Sequence, residues 1–386
     1  MRTATAVVAA VAAALVTAAP AAAAPVRPTL PAPTGHDRLG TVELHLVDPA
    51  RTDPWTDSPA HRELMVSITY PARDTEQHPA APWLPSGVAP AFVQLVSQSG
   101  IDLSAVPLPD SHAHTGAPAA GRHPVLLYSP GYGSVRELGT AQVEDLASRG
   151  YVVVTIDHTH EAPAVQFPGG RVEPGKQPTN PDIGKALDVR VADTRFVLDQ
   201  LAVLARGGNP DAEHRALPPG LDRALDLSRT GMFGHSLGGN TAASVMAVDA
   251  RVAVGANLDG AIHGPVADSG LDRPFLLVAS QDHDRTTDPS WATFWSHLRG
   301  WHVNLKLTGS AHISYTDLQP VLGQLVAAGT VPADRAKPLI GTIDPDHSVA
   351  AQRAYLAAYF DLQLKHRDSG LLDGPSPCFP EVEFLR

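Results

Sequence analysis

The sequence predicts an α/β fold: a mostly parallel, doubly wound sheet with an antiparallel N-terminal edge. Three observations carry that reading. From residue 123 onward short, nearly continuous apolar runs recur: PVLLYSP, YVVVTID, TGMFGHS, VAVGANLDG and PFLLVASQD. Such runs suit strands buried on both faces of a parallel sheet. Helix-capable segments separate them, and strands alternating with helices mean βαβ units. Ahead of them, GTVELHLVD (40–48) and RELMVSITYPA (62–72) alternate apolar and polar residues, as half-exposed antiparallel strands do.

Taken in order, the chain opens with MRTATAVVAAVAAALVTAAPAAAA. Arg2 is a short basic start, 6–16 an apolar stretch, and the alanines around Pro20 a small-residue cleavage zone ending near Ala23. This reads as a signal peptide over 1–23. The apolar run is too short for a membrane span and is broken by Thr17 and Pro20. No later segment is long and apolar enough to cross a bilayer. The mature chain, 24–386, is expected to be secreted, without stable membrane insertion, and to form a single domain. Residues 25–38 are Pro-rich and read as a loose leader. Residues 73–122, rich in Pro, His, Ala and Ser around an apolar patch at Phe92, Val93, Leu95 and Val96, read as an insertion able to form a pocket rim, as does the aromatic segment 291–301.

A helix is expected over 140–149, from Thr140 to a terminating Gly150. Another is expected over 185–205, where Leu187, Val191, Leu198, Leu201 and Ala205 share a face. A third, rich in small residues, is expected over 237–248. Val303, Leu305 and Leu307 alternate with polar residues and mark a strand over 303–308. No repeat or linker divides the chain.

The 386 residues are 43% hydrophobic, enough for a substantial core. The formal net charge is -11, and no Lys/Arg cluster occurs. A nucleic-acid partner and docking on anionic membranes are therefore not expected. Cys378 is the single cysteine, so no internal disulfide can form. Nothing in the sequence bears on oligomeric state.

The chemistry concentrates in FGHSLGG, where Gly234-His235-Ser236-Leu237-Gly238 is a G-x-S-x-G pentapeptide. A short apolar strand precedes Ser236 and a helix-capable segment follows, the strand–turn–helix setting in which such a serine is a nucleophile at the rim of an α/β-hydrolase sheet. The N–H of Leu237, at a helix N-terminus, would then face a developing oxyanion. A second donor is expected from the Gly-rich turn of LLYSPGYGS, with the N–H of Tyr132 the candidate.

In this fold the acid and then the histidine follow the serine. His312, just beyond the 303–308 strand, has the order and loop position of the base. His263, His283, His297, His302 and His347 are its rivals. For the acid, Asp259, Asp282 and Asp284 all lie at C-terminal ends of strands, the functional rim of an open sheet, and spacing does not separate them. His158, His160 and Glu161 in DHTHEAP, or His112 and His114, could approach a metal, but neither group has the spacing of a full ligand set. They read as surface or loop residues, DHTHEAP shaping the active-site rim. No metal and no cofactor is expected.

SPGYG, VVTIDHTHEAP, GHSLGGNTA, NLDGAIHG and GSAHISYTD, spread over 40–365, resemble the platelet-activating-factor acetylhydrolase (group VII phospholipase A2) family and its secreted bacterial relatives. That resemblance implies the acid at the end of the strand directly after the nucleophile, at Asp259, and the histidine in G-S-x-H, at His312. It also implies Tyr132 and Leu237 as oxyanion donors, and a small-molecule or phospholipid ester as substrate. SPGYG and GHSLGG also resemble, more weakly, actinobacterial cutinases and polyester hydrolases, whose pattern would favour Asp282. The S-P-G-Y turn departs from the S-H-G-L type of the plasma enzymes. A catalytically inactive binding scaffold would be expected to lack Ser, Asp or His, and all three are present.

Overall fold

The computed structural model describes residues 26–57, 59–178 and 180–386; the expected signal peptide lies outside them. In chain order, β1 (Arg38–Thr52) and β2 (His61–Ala72) precede the insertion, which contributes β3 (Ala80–Pro82), α1 (Ala89–Ser97) and β4 (Asp110–Thr115). Then follow β5 (His123–Ser129), α2 (Thr140–Ser148), β6 (Val152–Asp157), β7 (Ala164–Gln166), β8 (Val172–Pro174), α3 (Ile183–Ala205), α4 (Leu221–Ala224) and β9 (Leu225–His235). The C-terminal half holds α5 (Leu237–Val248), β10 (Val254–Leu258), α6 (Val266–Ser269), β11 (Phe275–Ala279), α7 (Pro289–His297), β12 (His302–Leu307), α8 (Leu318–Ala327), α9 (Ala333–Ile340), α10 (Pro345–Lys365) and β13 (Val382–Phe384).

One eleven-stranded sheet runs β13-β12-β11-β10-β9-β5-β6-β2-β1-β4-β3. The six strands from β12 to β6 are mutually parallel. β2 joins β6 antiparallel and β1 joins β2 antiparallel, giving the expected N-terminal edge. The apolar runs are continuous because both faces are covered. Val125 and Leu127 pack with Leu198 and Leu201 of α3 and with Ala242 of α5. Leu126 and Tyr128 pack on the other face with Leu146 of α2 and Phe360 of α10. The chain leaves β5 for β6 on one side and later returns to β9 on the other. The ends of β5 and β9 therefore flank a topological switch point, where open α/β sheets bind ligands.

One sequence expectation is corrected. The Pro-rich leader is strapped down: Arg353 of α10 donates to the carbonyls of Pro31 and Ala32 at 2.7 and 2.9 Å, and Thr34 N–H donates to Asp145 of α2 at 2.8 Å. The insertion extends the sheet edge, with β4 paired to β1 and to β3. Phe92 and Val96 of α1 pack with Leu322 and Leu325 of α8. The insertion borders a cavity of about 620 Å³ lined by Glu43, Trp83, Arg136 and Glu144 among others, whose lining does not include Ser236.

Candidate active site

β9 ends at His235 and α5 begins at Leu237, so Ser236 is the single residue of the turn, with φ 55° and ψ -126°. A non-glycine residue persists in such a conformation only where its surroundings over-determine it. Here the Ser236 N–H is held by the Leu258 carbonyl of the neighbouring strand at 2.8 Å. The flanking glycines permit the crowding. A Cβ on Gly234 would lie 2.3 Å from the Gly238 carbonyl carbon, and one on Gly238 1.9 Å from the Ser129 carbonyl oxygen.

The structure brings Ser236, His312 and Asp259 together. Ser236 Oγ is 3.0 Å from His312 Nε2, and His312 Nδ1 is 2.7 Å from Asp259 Oδ2. Because a carboxylate only accepts, Nδ1 donates and Nε2 is left to accept from the serine hydroxyl. Asp259 follows β10 directly and is buried; His312 opens a short 3₁₀ turn after β12 and is exposed. Asp259 also accepts from the Ser280 N–H at 2.6 Å and from His283 Nδ1 at 2.9 Å. Burial opposes its ionisation, but the hydrogen bonds from His283 and His312 and their charges outweigh that and hold the carboxyl well below the usual range. Asp282 lines the same cavity without joining the relay. Asp284 is paired with Lys306 of β12 at 2.6 Å.

The two amides named from sequence border the site as well. Neither the Leu237 nor the Tyr132 N–H has an acceptor among the described residues. The Tyr132 amide is aimed from behind. Arg190 of α3, fully buried, donates to the carbonyls of Pro130 at 2.6 Å and Gly131 at 3.0 Å. In a trans peptide the C=O and the next N–H point opposite ways, so turning the Gly131 carbonyl toward Arg190 turns the Tyr132 N–H away from it. The Tyr132 hydroxyl donates to Gln177 at 2.5 Å and the residue lines the cavity.

This support was not read from the sequence. His158, His160 and Glu161, expected as surface or loop residues, are buried. Glu161 pairs with Arg190; His158 bridges Ser129 Oγ and Asp193 of α3, each at 3.0 Å; Asp193 pairs with Arg62 of β2 at 2.8 Å; and His160 contacts Asp53 at 3.0 Å. His112 contacts Glu144, and His114 the His78 carbonyl. Among the described residues no three His, Cys, Asp or Glu side chains are grouped to hold a metal.

His235 is a further residue that sequence reasoning passed over. Its Nε2 donates to the His312 carbonyl at 2.8 Å, and the two rings lie 4.6 Å apart. Burial, with the charge of His312 second, pushes its pKa down to about 3, so it stays neutral while fixing the backbone of His312. His297, His302 and His347 lie on α7, β12 and α10, outside the relay. The site opens into a cavity of about 550 Å³ lined by Tyr132, Ile183, Leu237, Ala261, His263 and Pro338 beside the relay. No lining residue comes from 73–122 or 291–301. Trp291 instead lies fully buried, its indole N–H on the Gly260 carbonyl at 2.6 Å.

Residues 30–171 and 218–368 match the family model for platelet-activating factor acetylhydrolase, isoform II. The chain belongs to this family. It is 30% identical over 388 residues, 92% of this chain and 93% of the other, to a "Probable 1-alkyl-2-acetylglycerophosphocholine esterase" of Arthroderma benhamiae. It is 22% identical over 302 residues, 66% of this chain and 67% of the other, to the platelet-activating factor acetylhydrolase of Gallus gallus. A solved ferulic acid esterase from Streptomyces cinnamoneus superposes with a TM-score of 0.75 at 36% identity, covering 94% of this chain and all of that one. The protein is a carboxylic ester hydrolase with the α/β-hydrolase fold. The stretch between the two matched segments holds all of β8 and α3, including Arg190 and Asp193.

Proposed function

We propose that the protein is a secreted serine esterase that cleaves short-chain acyl esters, platelet-activating-factor-like phospholipids among them, through Ser236, His312 and Asp259. The observation that carries this reading is the unbroken Ser236–His312–Asp259 hydrogen-bond chain beside two unoccupied amide donors. Ser236 Oγ attacks the ester carbonyl carbon as its proton passes to His312 Nε2. The oxyanion lies between the N–H groups of Leu237 and Tyr132. Collapse expels the alcohol, which takes the proton from His312 and leaves an acyl-enzyme. A water molecule, giving its proton to His312, then attacks the acyl carbon; collapse breaks the bond to Ser236 Oγ, which takes that proton back from His312, and frees the acid. Asp259 orients the imidazole and stabilises its charged form. No step calls for a metal or cofactor. Secretion rests on the basic, apolar and small-residue pattern of 1–23, and the first residue of protein recovered from culture medium tests it.

The short-acyl preference is supported by the acetyl ester in the fungal relative's name and by the cavity wall. The apolar residues lining it, Ile183, Leu237, Ala261 and Pro338 among them, are interspersed with Asp282, His263 and His283. A methylene gains about 0.8 kcal/mol only when it is buried against apolar surface, so each carbon placed against a polar stretch of this wall gains less. On monomeric 4-nitrophenyl esters, kcat/KM should be highest from acetyl to butyryl and should not rise beyond. A rate climbing through decanoyl, or jumping when micelles form, overturns the short-acyl reading. The solved ferulic acid esterase favours a second reading, an aromatic acyl group. Methyl ferulate in the same panel discriminates it.

A further inference from the structure

Asp259 serves two histidines. His312 occupies Oδ2 and His283 occupies Oδ1, at 2.7 and 2.9 Å. The far nitrogen of His283, Nε2, lies 2.8 Å from Asp288 Oδ2. Both ring nitrogens thus face acceptors that cannot donate. A neutral imidazole carries one N–H and can satisfy only one of them; the imidazolium satisfies both. Asp288 is itself fixed, because its other oxygen caps α7 through the Ser290 N–H at 2.8 Å. The His283 ring lies 4.4 Å from that of buried Trp291. It is therefore held in one orientation by β10, α7 and its own loop.

We propose that His283 is a positioning residue that shares the Asp259 carboxylate with His312 as an imidazolium, and that its charge keeps His312 free to accept the Ser236 proton in mildly acidic medium. This rests on the relay reading above. Asp259 is buried, and no lysine or arginine pairs with it among the described residues. Its field is thus divided between two imidazoles. A proton arriving on His312 meets the charge already on His283 across the carboxylate they share. The groups facing His283 are Asp259 after β10 and Asp288 at the start of α7. Asp282, His263 and His312 share the cavity with it. On its own loop, Asp284 is neutralised by Lys306 of β12, and Arg285 lies over the Trp295 ring of α7. Burial works against the charged form of His283, but the hydrogen bond and charge of Asp259, followed by those of Asp288, outweigh it and push its pKa up.

The test is the pH profile of kcat/KM on a soluble acetyl ester for the full chain. His283→Asn keeps an N–H donor at the position of Nδ1 and removes the charge. Its acid limb should move up by about half to one pH unit. His283→Phe, which also removes the N–H from Asp259, should lower the plateau as well. A purely structural residue would change the plateau and leave the midpoint in place, so an His283→Asn midpoint equal to the parent's overturns the inference. Ser236→Ala, assayed alongside, separates the two claims: parental activity there overturns the relay itself, whereas an inactive Ser236→Ala with an unmoved His283→Asn midpoint overturns only the role of His283. The second readout needs no catalysis. In Ser236→Ala, the His283 ring-proton resonance, assigned by its absence in His283→Asn, should titrate above the ordinary histidine range; titration below that range also overturns the proposal.

Discussion

Among the described residues, two Ser-His-Asp chains have nearly the same geometry. In one, Ser236 Oγ, His312 and Asp259 are linked at 3.0 and 2.7 Å. In the other, Ser129 Oγ, His158 and Asp193 are linked at 3.0 and 3.0 Å, the same nitrogens in the same order. What separates them is burial and company. Ser129, His158 and Asp193 are 0%, 1% and 0% exposed, Arg190 donates to Ser129 Oγ at 3.0 Å, and Arg62 binds Asp193. Ser236 ends its strand at a strained turn on a cavity, with free amides beside it. A hydrogen-bonded triplet does not by itself meet the requirements of nucleophilic chemistry. The serine must also be reachable, keep its lone pair free of a cation, and face donors for the oxyanion. Arg190 links the buried triplet to the loop that carries Tyr132, donating to Ser129 Oγ and to the carbonyls of Pro130 and Gly131.

The largest expected difference between them is in turnover. Ser236→Ala should lower ester hydrolysis by about 10⁶-fold, whereas Ser129→Ala should keep activity within an order of magnitude and lose stability instead. Comparable losses in steady-state assays of the two purified variants would erase the distinction. Next in size is the acid. Asp259→Asn should cost about 10⁴ in kcat, while Asp282→Asn, which touches no relay atom, should change little; the opposite ranking would move the acid to the following strand.

Arg190→Met joins the two regions. It leaves Glu161 buried without its partner, a loss of about 3–5 kcal/mol, and it frees the carbonyls that aim the Tyr132 N–H. If the variant folds, kcat should fall by about 10²–10³, as for a removed oxyanion donor, with KM much less affected. A fall in stability with unchanged kcat would show that the loop holds its shape without Arg190.

The smallest effect is in acid stability. Burial opposes ionisation at Asp53 and Asp193, but His160 and Arg62 at the first, and Arg62 then His158 at the second, outweigh it. Asp53 is held at about 2, and Asp193 well below the ordinary range. Unfolded aspartates titrate near 3.9, so this contribution is complete above about pH 4 and is lost as pH falls from there toward 2 and below. Urea midpoints should drop over that window in the parent. In Arg62→Met they should start lower and fall less steeply; parallel curves would mean that Arg62 does not set these carboxyls.

The sequence makes the first triplet legible and hides the second for a physical reason. Gly234, Ser236 and Gly238 form a local pattern, because a tight turn demands small residues at fixed offsets, and His312 follows from chain order. The parallel strands were legible from the same cause, since burial on both faces leaves continuous apolar runs. Asp259 could not be separated from Asp282 by residue pattern alone; the choice rested on resemblance, and the His312 contact now decides the geometry. Arg62 and Asp193 lie 131 positions apart, and each alone reads as a solvated charge. The leader was misjudged likewise, because proline content says nothing of the distant Arg353 that binds its carbonyls.

The most direct test of the central claim is site mapping of a fluorophosphonate, which forms a stable phosphonyl ester only with an activated, accessible serine. Stoichiometric label on the peptide carrying Ser236, abolished in His312→Ala, with no label on the peptide carrying Ser129, is the result this account predicts. Label on Ser129, or undiminished label on Ser236 without His312, would contradict it.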